Sequence, residues 1–128
     1  MSRLKKEIQT SHAPQAIGPY SQAIDAGELI FISGQIPLNP ETMEVVGEDI
    51  VEQTKQVMKN LQAICEEAKV TLDHVVKFSI YVTDLNDFQA LNDTYRLFLN
   101  APYPARATVE VSQLPKGVKV EMDAIVKK

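Results

Sequence analysis

The chain has 128 residues, 45% of them hydrophobic and 23% charged, with a net charge of −4 from 13 Lys and Arg against 17 Asp and Glu. That length and balance describe one folded domain over 1–128 and exclude a disordered chain. The acidic excess weighs against nucleic acid or an anionic membrane as partner, and the single cysteine, Cys65, leaves no intrachain disulfide and suits the reducing cytoplasm.

The first residues, Met1, Ser2, Arg3, Leu4, Lys5 and Lys6, are basic, but no apolar run follows them. Neither a secretory signal nor a membrane span is expected. A strand is expected over 20–25, a turn at Ala26, Gly27 and Glu28, and a second strand over 29–34, together a hairpin. In the second strand Leu29 and Phe31 point one way and Ile30 and Ile32 the other. A strand apolar on both sides calls for cover on both faces. Pro37 and Pro40 break the pattern, and Asp49, Ile50, Val51 and Glu52 resemble an acidic capping box. From there Ile50, Thr54, Val57, Leu61, Ile64 and Ala68 recur at spacings of four and three, widened by Val51, Met58 and Cys65, which predicts a long amphipathic helix.

Residues 75–82 read as a strand with Val76, Phe78, Ile80 and Val82 on one side and Lys77, Ser79 and Tyr81 on the other. Asn86, Asp87, Phe88 and Gln89 read as the cap of a second helix that buries Phe88, Leu91, Tyr95 and Phe98 and stops before Pro102 and Pro104. Strands follow over 105–111 and 118–126, with Leu114, Pro115, Lys116 and Gly117 between them. Two helices can cover one face of a sheet of about five or six strands. The other face still carries Ile or Leu, and a partner subunit is the simplest cover for it.

Few residues suggest chemistry. His12 lies in a polar segment and His74 beside Asp73, without metal-ligand spacing, and Cys65 falls inside the helix stripe. Surface histidines and a packed thiol are the plain readings. There is no nucleophile elbow and no phosphate-binding glycine loop, so no metal or cofactor is expected. If 105–111 and 118–126 form a hairpin, Arg106 faces Asp123, Thr108 faces Glu121 and Glu110 faces Lys119. From the residues alone this is a solvated face laced with ion pairs. The alternative is a small-molecule site, in which Arg106 grips a carboxylate and Glu121 holds a water.

Four segments carry a family resemblance. They are Pro104-Ala105-Arg106-Ala107-Thr108-Val109 with Ser112, Leu114 and Val120-Glu121-Met122; Ala16-Ile17-Gly18-Pro19-Tyr20-Ser21-Gln22-Ala23; Ser33-Gly34-Gln35-Ile36-Pro37; and Asp84-Leu85-Asn86-Asp87-Phe88 with Asn92 and Tyr95. In order and spacing, from about residue 12 onward, they resemble the RidA family, also called YjgF or YabJ. The resemblance favours the site reading of Arg106 and Glu121. It implies an α+β, chorismate-mutase-like fold and a homotrimer whose sheets form a central barrel, with sites in the clefts between subunits. It also implies cofactor-free hydrolysis of reactive enamines and imines, such as 2-aminoacrylate and 2-iminobutanoate, to 2-oxo acids and ammonia.

In that reading Arg106 and Glu121 are the catalytic residues, with Tyr20, Ser33, Gly34, Asn92 and Thr108 around the substrate. Many members carry cysteine where this chain has Thr108, so the thiol is not required if this protein is active. A non-catalytic regulatory trimer that binds a 2-oxo or amino acid would use the same pocket. An endoribonuclease activity, attached to some relatives, fits poorly with the acidic balance.

Overall fold

Helical spacing of apolar residues produces the main helix where the sequence places it. In the computed structural model, which describes residues 4–128, α1 spans Ile50–Glu67. The first half of the basic stretch, Met1, Ser2 and Arg3, lies outside the described residues. Val57, Met58, Leu61, Ile64 and Cys65 are almost wholly buried along one stripe of α1. Each large apolar side chain removed from water in this way contributes about 1.5–3 kcal/mol. Asp49 caps the helix by accepting the Glu52 N–H at 3.3 Å, leaving fewer unpaired donors in the first turn. The helix ends where Lys69 turns to φ 63° and the Val70 N–H donates to the Cys65 carbonyl at 3.0 Å.

Six strands form one sheet: β1 (Lys6–Ile8), β2 (Ala23–Asp25), β3 (Leu29–Gln35), β4 (Val75–Val82), β5 (Ala105–Glu110) and β6 (Val120–Lys127), in the order β1-β2-β3-β6-β4-β5. The hairpin of β2 and β3 forms as expected, although its first strand begins at Ala23. β1, an edge strand, is an addition to the sequence reading. A short helix, α2 (Phe88–Arg96), joins β4 to β5, which run parallel, as a crossover of this length requires. Asp84 caps the approach to α2 by accepting the Asn86 N–H, whereas Asp87 makes no side-chain cap. That corrects the expected cap, because a single 3-10 turn over Leu85–Asp87 precedes the helix proper.

The expected hairpin of the last two strands does not form. β4 lies between them, parallel to β5 and antiparallel to β6. The connection wraps around the end of β4. The Val111 N–H donates to the Val82 carbonyl on one side, and the Thr83 N–H donates to the Lys119 carbonyl on the other. A short loop therefore spans one intervening strand, which loop length alone cannot reveal. Alternation in β4 also breaks. Val75 and Lys77 pair with consecutive residues of β6, so Val76 is the extra residue of a bulge and is 43% exposed rather than buried.

Both helices pack against one face of the sheet, over Ile30, Ile32, Phe78, Ile80, Met122 and Val126. On the other face Phe31 and Val109 remain 45% and 47% exposed. Among the described residues no helix is long and apolar enough to cross a membrane.

Gln22, only 2% exposed, fastens the irregular segment ahead of β2. Its Oε1 accepts the Thr10 N–H at 2.7 Å, and its Nε2 donates to the carbonyls of Thr10, Ala13 and Pro14. Gln22→Leu strands these buried backbone groups and is expected to cost about 1–3 kcal/mol. Hydrogen exchange at Thr10 should accelerate with it. Unchanged stability and exchange would show that the clamp is dispensable.

Candidate functional site

Arg106 lies on edge strand β5, level with Phe78 of β4, and therefore on the helix-covered face. Its Nη1 donates to Asn92 Oδ1 at 2.6 Å. Its guanidinium carbon sits 5.3 Å from the centroid of the Phe88 ring and 5.0 Å from that of Tyr95. Phe88, Asn92 and Tyr95 stand four and three residues apart and so share one face of α2. The Tyr95 ring meets the buried Phe78 ring edge-on at 5.4 Å. A chain of contacts thus runs from the core through Tyr95 to a cation whose residue is itself exposed. Cation–π contacts of this kind contribute about 0.5–1 kcal/mol each at exposed sites, and they restrict the long Arg106 side chain before any ligand arrives. Burial raises the Tyr95 phenol above its usual range despite the neighbouring Arg106, so Tyr95 stays neutral. A cleft of about 410 Å³ opens here between Asn92, Tyr95, Arg96, Tyr103, Pro104 and Arg106. Thr108 follows on the same face, its Oγ1 buried without a hydrogen-bond partner among the described residues.

Glu121 occupies the opposite face. It lies on β6 level with Tyr81, and its carboxyl is raised above the usual range, first by burial and then by the Asp123 carboxylate. The backbone of β3 makes room for it. Ser33 and Gly34 together stand against Asp123 alone, a bulge between the pairs Ile32–Ala124 and Gln35–Met122. A Cβ on Gly34 would collide with Glu121 Oε2 and lie 3.0 Å from its carboxyl carbon. The Ser33 hydroxyl donates to the Ser21 carbonyl at 2.6 Å and so ties the bulge to the preceding segment. Tyr20, 52% exposed, accepts the Ile17 N–H at 3.4 Å and shares with Gly34 and Lys116 a second cleft of about 410 Å³.

The residues named from sequence therefore fall into two groups. Asn92, Arg106 and Thr108 belong to one face and edge of the sheet; Tyr20, Ser33, Gly34 and Glu121 belong to the other. Within one chain Arg106 and Glu121 do not meet, and the expected pairs of Arg106 with Asp123, Thr108 with Glu121 and Glu110 with Lys119 are absent. Instead Glu110 accepts the Leu85 N–H, and Asp123 accepts the Tyr81 hydroxyl. The intervening β4 is the reason. Sequence reading placed Phe88 and Tyr95 in the core and missed them as the cradle of Arg106. A polar Asn92 within an aromatic stripe was the available signal.

The remaining candidates keep plain roles. Burial pushes the Cys65 thiol up to about 12, and His74 Nδ1 accepts the Thr71 N–H in a local cap. Among the described residues no group of three or more His, Cys, Asp or Glu could hold a metal ion.

Comparison with known proteins adds a family. Residues 10–128 match the model of the family described as endoribonuclease L-PSP. A RutC family protein of Pyrococcus abyssi is 53% identical, over 97% of this chain and 98% of that protein. The 2-iminobutanoate/2-iminopropanoate deaminase of Escherichia coli is 48% identical, over 95% and 97%. The crystal structure of RidA from an Antarctic Psychrobacter bacterium superposes with a TM-score of 0.93 at 48% identity, over 96% of this chain and 99% of that one. The chain belongs to this RidA/YjgF family, and its mixed six-stranded sheet with two helices is the fold of those relatives.

The contact between Gly34 and Glu121 can be tested without an activity. Gly34→Ala is expected to fold, because a carboxylate side chain can swing aside, but to displace Glu121 and shift its carboxyl carbon resonance. An unchanged resonance would mean that the carboxylate does not lie over Gly34.

Proposed function

From membership of the RidA/YjgF family, we propose that the protein is an enamine/imine deaminase working without a cofactor. It is a homotrimer whose sites lie between subunits, each built from Arg106 of one subunit and Glu121 of the next. The observation that carries this reading is the placement of those two residues on opposite faces of one sheet. A single chain offers a carboxylate clamp without a water-activating group beside it, and a second copy supplies the missing half. The exposed Leu29, Phe31 and Val109 support association through the uncovered face, since apolar side chains gathered on one sheet face mark an interaction surface.

The chemistry follows from the two groups. A 2-imino acid, formed from 2-aminoacrylate by tautomerisation or present as 2-iminobutanoate, carries a carboxylate next to an electrophilic carbon. Arg106, already oriented by Asn92, Phe88 and Tyr95, binds the carboxylate through two parallel N–H donors. Water adds to the carbon of the protonated imine, and Glu121 takes the proton that water loses. The carbinolamine then receives that proton on nitrogen, its hydroxyl gives up its own proton to Glu121 as the C=O bond forms and the C–N bond breaks, and ammonia leaves, taking that proton as ammonium, with a 2-oxo acid as the other product. Imine and water are consumed in equal amounts, with no oxidant or reductant. Tyr20 walls the pocket, Ser33 and Gly34 shape the backbone beneath Glu121, and Thr108 takes the place of a thiol for which this route has no use.

The same clamp would serve a regulatory trimer that senses a 2-oxo acid, and turnover separates the two. The protein, its trimer mass established by light scattering, is added to a serine or threonine dehydratase reaction, where it should accelerate imine decay. Arg106→Lys keeps the charge but loses the fork. Its expected cost is roughly 1.5–3 kcal/mol in the transition state, about tenfold to more than a hundredfold in rate at matched trimer concentration. Equal rates would remove Arg106 from the site, and a monomer mass would remove the site between subunits.

A further inference from the structure

The uncovered face of the sheet carries a polar group amid its apolar side chains. Tyr81 on β4 stands level with Glu121 on β6, and Ser79 stands level with Asp123. The Tyr81 hydroxyl donates to Asp123 Oδ2 at 3.1 Å. Glu121 and Asp123 are two residues apart on one strand and so project from the same face. Two cations share this neighbourhood, Lys116 in the cleft it lines with Gly34 and, in the proposed trimer, Arg106 of the next subunit, and both act on Glu121 alike in wild type and in the Asp123 and Tyr81 variants. Lys77 lies further along β4, Lys119 precedes β6, Ser33 and Gly34 of β3 bring no charge, and β5 presents Ala105, Ala107 and Val109 on this face.

We propose that Asp123 and Tyr81 are positioning residues for Glu121, a carboxylate and its attached phenol that together set the pH at which Glu121 changes from proton donor to proton acceptor. Two carboxylates on one half-buried strand face resist being ionised together, so the charge of Asp123 holds the proton on Glu121 to higher pH. Tyr81 acts through Asp123. Its donated hydrogen bond draws off part of that charge and limits the effect on Glu121. The phenol is suited to the task, because the bond to Asp123, followed by burial, raises its pKa and so keeps it protonated and a donor. The burial of Glu121 acts in the same direction as Asp123. This inference rests on the reading that Glu121 exchanges a proton with the attacking water, and it names the neighbours that tune the exchange.

The test is a carbon-13 NMR titration of the Glu121 carboxyl in the whole protein, its signal identified by its loss in Glu121→Gln. Asp123→Asn should move the midpoint to lower pH. Tyr81→Phe, nearly isosteric, should move it to higher pH by exposing more of the Asp123 charge. The double variant should follow Asp123→Asn, because without the carboxylate the phenol has nothing to act through. Opposite shifts from two neighbouring substitutions are not what general loosening of the strand produces. Identical midpoints in wild type and both single variants would overturn the proposal. The titration needs no turnover, so it stands apart from the imine assay of wild type and Arg106→Lys. If that assay shows hydrolysis, Asp123→Asn should also shift the acidic limb of kcat/KM to lower pH and raise the rate below the wild-type midpoint severalfold. An unmoved limb would count against the tuning role while leaving the deaminase reading intact.

Discussion

Strand parity is the constraint on which the site depends. Successive side chains of a strand leave on opposite faces. The pairing of Phe78 with Arg106 and of Tyr81 with Glu121 therefore commits the two charged residues to opposite sides of the sheet. A one-residue slip of β5 along β4 would carry Arg106 away from α2 and send the apolar Ala105 into its cradle. Burial of Phe78, Ile80, Val82, Val120 and Met122 holds β4 against β6. By contrast β5, which has no fully buried side chain, is held in register by its ladder with β4, by the Val111 N–H on the Val82 carbonyl and by the seating of Arg106 against Asn92, Phe88 and Tyr95.

The two half-sites are built differently. Arg106 is restrained by contact, between aromatic rings and an amide oxygen on α2, so in the proposed site a ligand carboxylate would meet a guanidinium with less freedom left to lose. Glu121 is shaped by backbone. A bulge in β3 and the missing Cβ of Gly34 leave space for its carboxylate, while partial burial and Asp123 hold its proton more tightly. A clamp needs fixed direction and permanent charge. A proton carrier needs an ionisation close to its working pH.

Elements with a local cause were legible in the sequence. α1 follows from its four-and-three spacing and the Asp49 cap, and β3 from its run of apolar residues. Arg106 and Glu121 stand out through the family resemblance, because the polar alternation of the two strands alone favours a solvated face. What could not be read was non-local. No spacing reveals that β4 enters between β5 and β6, so the assumed cross-strand ion pairs were wrong in every member. The bulge at Val76 and the Tyr81–Asp123 bond depend on that same pairing. Phe88 and Tyr95 were visible as a helix stripe, but an aromatic stripe reads as core until the strand bearing Arg106 is laid against it.

The division of the site between two copies is the central claim, and mixed trimers address it most directly. Arg106→Lys and Glu121→Gln chains, each impaired alone, are unfolded, combined in equal amounts and refolded together. In a mixed cyclic trimer one cleft joins an intact Arg106 to an intact Glu121. Random assembly should therefore restore about a quarter of the wild-type imine hydrolysis per chain. Mixed trimers demonstrated by native mass spectrometry that stay as inactive as either parent would contradict a site shared between subunits.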